Sequence, residues 1–261
     1  MKNYKETEKI IDNYWVNKND KRQVAQSHHS LMNTLWKDEI FYSAENSKIY
    51  GEVKEIEEFG SPKQIFINTD SVSALFDNYC ENKKICVLNF ASYKYPGGGF
   101  INGSTAQEES LCHESTLYEV ISDDKFKNYY DWNNQHLNNA LYLDRAIYSP
   151  EIIFSRDKNI RADVLTCAAP NISSAYRYNN ITEEENYNVL KHRMQFIANI
   201  LNENNVEILI GGAFGCGVFG QSAKDVATIW KGLSYGKDLK LIVHAVIGGG
   251  ENTVIFSEVF E

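Results

Sequence analysis

Two stretches of this 261-residue chain constrain its fold more than any others: KICVLNFAS at 84–92 and VEILIG at 206–211. Each is apolar almost without a break and only strand-long, as expected for a strand covered on both faces. Each also runs into a cluster of glycines and then into a helical pattern. KQIFIN (63–68), EIIFS (151–155), ADVLTCA (162–168) and LKLIVHAVI (239–247) read as further strands. Between them, Asp70 caps a helix whose Val72, Leu75, Phe76 and Tyr79 follow i, i+3, i+4, i+7 spacing. One helix is expected from about Gln107 to Ile121, a long one over roughly 182–203 and another at 221–233. Residues 1–37 read as two amphipathic helices, with Ile10, Ile11, Tyr14 and Trp15 on one stripe and Val24, His28, Leu31 and Leu35 on the other. Strands alternating with helices predict an α/β fold with a parallel or mixed sheet. The expected organisation is an N-terminal helical extension over residues 1–60, packed on a single domain over 61–261.

Charge and cysteine usage remove several classes of function. The chain carries 26 Lys and Arg against 35 Asp and Glu, a formal net charge of −9. It has no basic stripe of the kind that grips a nucleic-acid backbone, so no sequence-specific nucleic-acid partner is expected. No apolar run is long enough for a transmembrane helix, and MKNYKETEKIIDNYW at the start lacks the apolar core of a signal peptide. A cytoplasmic protein with no membrane partner is expected. The five cysteines, Cys80, Cys86, Cys112, Cys167 and Cys216, are odd in number and contain no C-x-x-C pair. Neither a disulfide framework nor a structural zinc site is expected. Without an H-E-x-x-H motif, no metal or cofactor is implied. The acid excess also weighs, at first sight, against an anionic ligand.

The glycine clusters carry the chemistry. In α/β sheets, ligands bind beyond the carboxyl ends of the strands. The first cluster, in LNFASYKYPGGGFINGSTAQEESL, holds Gly97, Gly98 and Gly99, where a backbone without Cβ atoms turns tightly and approaches a ligand closely. The second, LIGGAFGCGVFGQSA, opens a helix, so its free N–H groups suit a phosphate. Neither fits G-x-x-x-x-G-K-S/T, and turns with tight helix–strand packing account for either cluster equally well. Glu108 and Glu109 begin the helix after the first cluster, where they also complement the helix dipole. Adjacent helix residues point about 100° apart, so the two cannot flank a glycosidic bond as an opposed pair. At most one of them is an acid/base.

Taken together, the glycine triplet 97–99, the seven residues 100–106 and then Gln107-Glu108-Glu109 resemble the signature of poly(ADP-ribose) glycohydrolases. The chain is most similar to the compact bacterial type, built on a macrodomain. The likeness runs from about Asp70 to Val246 and takes in YSPEIIFSRD, LTCAAPN and GAFGCGVFG. It implies a three-layer α/β/α sandwich with a mixed central sheet. It also implies an enzyme that cleaves ribose–ribose O-glycosidic bonds of poly(ADP-ribose) and releases ADP-ribose. By the same resemblance Glu109 is the catalytic acid/base, and Glu108 and Asn89 contact the ribose at the cleavage point. Gly97, Gly98, Gly99 and Gln107 line that side of the substrate. Gly215, Cys216, Gly217 and Gly220 cradle the diphosphate, with Val218 and Phe219 shaping the ribose end. An ADP-ribose-binding reader, or a hydrolase acting on mono-ADP-ribosylated protein or nucleic acid, stays open as an alternative. The remaining residues read as structural: Cys112 as packing, His113 on a helix surface, the Tyr129–Trp132 and Tyr142–Tyr148 stretches as packing, and the triplet 248–250 as a turn.

Overall fold

The computed structural model describes residues 20–178 and 180–261. The stripe expected at Ile10, Ile11, Tyr14 and Trp15 lies outside them. Nine strands are described: β1 (Lys48–Tyr50), β2 (Phe59–Gly60), β3 (Lys63–Ile67), β4 (Ile85–Phe90), β5 (Ala146–Ser155), β6 (Asn159–Cys167), β7 (Ile208–Gly211), β8 (Tyr235–Gly236) and β9 (Leu241–Ala245). Seven of them form one sheet in the order β1-β5-β6-β4-β7-β9-β3, and β2 pairs with β8 apart from it. From β6 to β3 all neighbours run parallel, while β5 and β1 add an antiparallel edge. The expected mixed α/β sheet with helices on both faces is therefore what forms.

Strand β4 shows why. Residues Ile85 to Asn89 are all buried, and they alternate between two cores. Cys86 and Leu88 face the layer made by helices Glu183–Glu203, Ala223–Gly232 and Glu251–Phe260. Ile85 and Val87 face the layer made by Lys21–Leu35, Lys37–Asn46, Ser71–Asn78 and the helices near Gln107. From β4 the chain crosses to β5 and β6 on one side and later returns to β7 on the other. β4 is thus a switch point, and a crevice is expected beyond its carboxyl end.

Several expectations change in detail. The helix foreseen over 107–121 is two, Gln107–His113 and Leu117–Ile121. The break occurs because residues 114–116 cover the outer edge of β5: Thr116 N–H donates to Ile153 O, and Ser155 N–H to Glu114 O. Glu114 is meanwhile held by the guanidinium of Arg156. The Ser71–Asn78 helix starts as predicted, with Asp70 accepting from Val72 and Ser73 N–H, a cap worth about 1 kcal/mol. The triplet 248–250 turns directly into a helix, Glu251–Phe260, which period alone did not reveal. Residues 48–50 supply the edge strand β1, so the N-terminal segment enters the sheet itself. Among the described residues, no helix is long and apolar enough to cross a membrane.

Helix Lys21–Leu35 buries Ala25, His28 and Met32; of the stripe expected at Val24, His28, Leu31 and Leu35, His28 is buried and Leu31 and Leu35 pack partly buried against the same core. Its first turn lies against the loop after the glycine triplet, where a Cβ on Gly103 would come 2.7 Å from Lys21 Cβ. His28 packs between Phe100 (ring centroids 5.9 Å apart) and His113 (6.2 Å). His113, expected on a helix surface, is 1% exposed, because this N-terminal helix covers it.

Neither ring nitrogen of His28 has a hydrogen-bond partner among the described residues, and burial pushes the ring down to about 3. In the unfolded chain the ring takes a proton near pH ~6.5. Its neutral form therefore contributes stability that is complete above that value and lost as pH falls towards 3. The unfolding free energy of the wild type relative to His28→Leu should drop by about 1.4 kcal/mol per pH unit below pH ~6. Urea titrations at neutral and mildly acidic pH measure this, and a pH-independent difference contradicts it.

Candidate active site

The two glycine loops leave adjacent strands, β4 and β7, and face each other across a cleft of about 230 Å³. Gly98, Glu108 and Glu109 form one wall, Gly215, Gly217, Val218 and Phe219 the other, and Phe90 lies between.

The first loop is shaped by a turn. Gly98 N–H donates to Tyr95 O at 3.2 Å, Pro96 sits at the second position and Gly97 at the third with φ +65°, a value that glycine adopts without a steric penalty. Gly98 follows at φ +57°. A Cβ there would stand 2.7 Å from Glu109 Oε1 and 2.9 Å from Glu108 Oε2, so both carboxylates press against this residue.

The two acids are tied to different partners. Glu108 Oε2 accepts from Ser92 N–H at 2.7 Å, and Oε1 accepts from Asn89 Nδ2 at 3.2 Å. It is 3% exposed, and desolvation pushes its carboxyl up to about 8 despite these hydrogen bonds and with the charge of Glu109 adding to the rise. Glu109 Oε1 accepts from Gly99 N–H at 2.8 Å. Its Oε2 is buried with no partner among the described residues. One oxygen of this pair is thus held in the cleft by its neighbour and left open for another group.

Gln107 makes the arrangement possible. Its Oε1 accepts from Phe90 N–H at 2.8 Å, while Nε2 donates to Leu88 O at 2.9 Å and Ser71 Oγ at 3.1 Å. The amide is thereby engaged on the protein at both ends, although the residue also lines the cleft. Asn89 is fully buried behind Glu108, with Nδ2 shared between Glu108 and Thr166 Oγ1.

On the second loop, Gly215 and Gly220 have φ +78° and +76°. Cys216 N–H donates to Ala213 O and Gly220 N–H to Gly217 O. The N–H groups of Gly215, Gly217, Val218 and Phe219 donate to no acceptor among the described residues. Val218 is 81% exposed at the lip, and Cys216 is half-buried against the core. No lysine or arginine is among the lining residues, so an anion in the cleft would be met by backbone N–H groups and neutral donors rather than by cationic side chains.

Sequence reasoning missed Phe90, Ser92, Ala106, Ala169 and Ala213 as cleft-lining residues. Phe90 and Ser92 lie inside LNFAS, and their position at a strand's carboxyl end was the available signal. Among the described residues, no cluster of His, Cys, Asp and Glu could hold a metal ion.

Comparison with known families matches residues 5–157 to the microbial-type PARG catalytic domain, where PARG denotes poly(ADP-ribose) glycohydrolase, and the chain belongs to that family. Its structure is similar to that of poly(ADP-ribose) glycohydrolase from Thermomonospora curvata, with 22% identity, a TM-score of 0.78, and 92% of this chain and 97% of that one covered. The same bacterial protein bound to the inhibitor ADP-HPD matches at 23% identity and a TM-score of 0.76, with the same coverage. The enzyme from Deinococcus radiodurans in complex with ADP-ribose matches at 22% identity and a TM-score of 0.72, covering 85% of this chain and 95% of that one. The fold is that of these proteins, macrodomain-like. Comparison with curated protein sequences gives no significant match.

Two glycine substitutions separate the loops' constraints. Gly98→Ala should cost about 1–3 kcal/mol, from a strained φ and a displaced carboxylate. A Cβ on Gly217 meets nothing within 4 Å, so Gly217→Ala should change stability by less than about 0.5 kcal/mol. Urea unfolding of the two variants checks both, and equal costs would contradict the crowding at Gly98.

Proposed function

We propose that this cleft hydrolyses the ribose–ribose O-glycosidic bond of poly(ADP-ribose) and releases ADP-ribose. The observation that carries this reading is Glu109 Oε2, a carboxylate oxygen buried without a partner opposite a loop of unengaged N–H groups. In this reading the diphosphate of the terminal unit lies on the N–H groups of Gly215, Gly217, Val218 and Phe219. Its terminal ribose then stands between Phe219 and Gly98, within reach of Glu109. Glu109 protonates the leaving oxygen, the ribose passes through an oxocarbenium-like state, and the resulting carboxylate takes a proton from the attacking water.

Glu108 is given the supporting role. With its carboxyl raised to about 8, it is neutral at pH 7, holds the Ser92 end of the loop and adds no negative charge beside the substrate. Asn89 acts through Glu108, and Gln107 fixes the helix start. Residues 20–60 are proposed as a segment that backs the catalytic loop, and the setting as cytoplasmic, which suits cysteines that are all free. An acid with one unpartnered oxygen in the cleft favours hydrolysis over reading alone, because a pure binder has no use for Glu109.

Incubation with purified poly(ADP-ribose) should release ADP-ribose. Glu109→Gln should slow release by about 10²–10⁴-fold, the usual loss for a general acid/base, with little change in affinity for free ADP-ribose. Tight binding of polymer with no release by the wild type contradicts the proposal. A second test follows from Glu108. As pH rises through about 8 it ionises beside an anionic ligand, so affinity for ADP-ribose should fall by up to about tenfold per pH unit above that point. Glu108→Gln should flatten the curve in calorimetric titrations between pH ~7 and ~9. A flat wild-type curve would remove Glu108 from this role.

A further inference from the structure

A second hollow, of about 330 Å³, shares Gly98 with the cleft and is lined by Tyr95, Pro96, Gly98, Ile101, Asn102 and Tyr118. Gly98 belongs to both spaces, and it is the residue against which Glu109 and Glu108 press. The two hollows therefore share the residue on which Glu109 rests.

The chemistry of the polymer says what must stand there. In the linear chain, the terminal ribose is joined through its anomeric carbon to the 2′-oxygen of the adenine-bearing ribose of the next unit. Hydrolysis forms a bond from water oxygen to that carbon and breaks the bond to the 2′-oxygen, which leaves with a proton from Glu109. The departing group is thus an adenosine, and it must lie beside Glu109 on the side that the terminal unit does not fill.

We propose that the hollow at Tyr95, Ile101 and Asn102 is the subsite for this leaving adenosine, with the adenine stacked on Tyr95. The inference rests on the hydrolase reading above and adds the half of the substrate that reading leaves unplaced. Tyr95 is 61% exposed and opens the turn closed by the Tyr95–Gly98 hydrogen bond, so its backbone is fixed while its ring stays open. The Asn102 side chain is exposed and makes no hydrogen bond among the described residues, which leaves its amide for a ribose hydroxyl or an adenine edge. Tyr118 closes the floor, its ring within 2.6 Å of where a Cβ on Gly97 would stand. None of the six lining residues carries a charge. The grip is by stacking and does not depend on phosphate contacts.

Tyr95→Ala, Tyr95→Phe and the wild type should be compared on purified poly(ADP-ribose), with free ADP-ribose affinity measured by calorimetry. Tyr95→Ala should lower kcat/KM on polymer about tenfold, the worth of one base–aromatic stack, and Tyr95→Phe should stay within about twofold of wild type. The deficit should be the same at about 50 mM and about 200 mM salt, because no ionic contact is lost. Affinity for free ADP-ribose, which occupies only the other hollow, should not change. Wild-type kcat/KM in Tyr95→Ala overturns the subsite and leaves the hydrolase reading standing. An equal loss of ADP-ribose affinity also overturns it, by placing the ring with the terminal unit. No release by the wild type overturns the hydrolase reading and the subsite with it.

Discussion

The side-chain amide of Gln107 is the joint on which the cleft depends. Pairing of β4 with β6 continues through Phe90, but pairing with β7 ends at Val87. Beyond that point the N–H of Phe90 and the C=O of Leu88 have lost their neighbouring strand. A buried backbone group without a partner costs about 1–3 kcal/mol, and Gln107 supplies an acceptor and a donor at the spacing these two groups need. The same two bonds fix the first residue of the helix that carries Glu108 and Glu109. Opening the sheet and aiming the acids are thus one structural event.

From that joint the remaining parts follow. The opening between β4 and β7 makes room for both glycine loops, and the first is pulled down onto the helix by Ser92 N–H on Glu108 and Gly99 N–H on Glu109. Phe100, fully buried immediately after the triplet, anchors the loop against His113, Tyr118 and His28. A net charge of −9 does not weigh against the diphosphate site proposed here, because the groups that would face it are N–H dipoles, which no charge count registers.

Much of this was legible in the sequence, and the limits were physical. Strand β4 was visible because burial on both faces forces an unbroken apolar run, and both loops were visible because positive φ at Gly97, Gly98, Gly215 and Gly220 selects glycine. The acids stood out by their place after the triplet. The break in the helix at 114–116 was hidden, since its cause is the edge of β5, some forty residues further on. The burial of His113 was hidden for the same reason: the covering residue, His28, comes from a distant helix. Gln107 read in sequence only as a substrate contact, because the backbone groups its amide engages are exposed by the register of β4 against β7, which sequence does not give. The proposed adenosine subsite carried no motif, because a stacking platform would need only one exposed ring.

If Gln107 holds the acids in place without gripping the ligand, its loss should slow release and spare affinity. Single-turnover release of ADP-ribose from polymer by Gln107→Leu, alongside calorimetric affinity for ADP-ribose, tests it most directly. The rate should fall by about a hundredfold, as expected when a catalytic group shifts by an ångström, with affinity close to wild type because the loop at 215–219 is untouched. An unchanged rate, or a loss of affinity as large as the loss of rate, would contradict it.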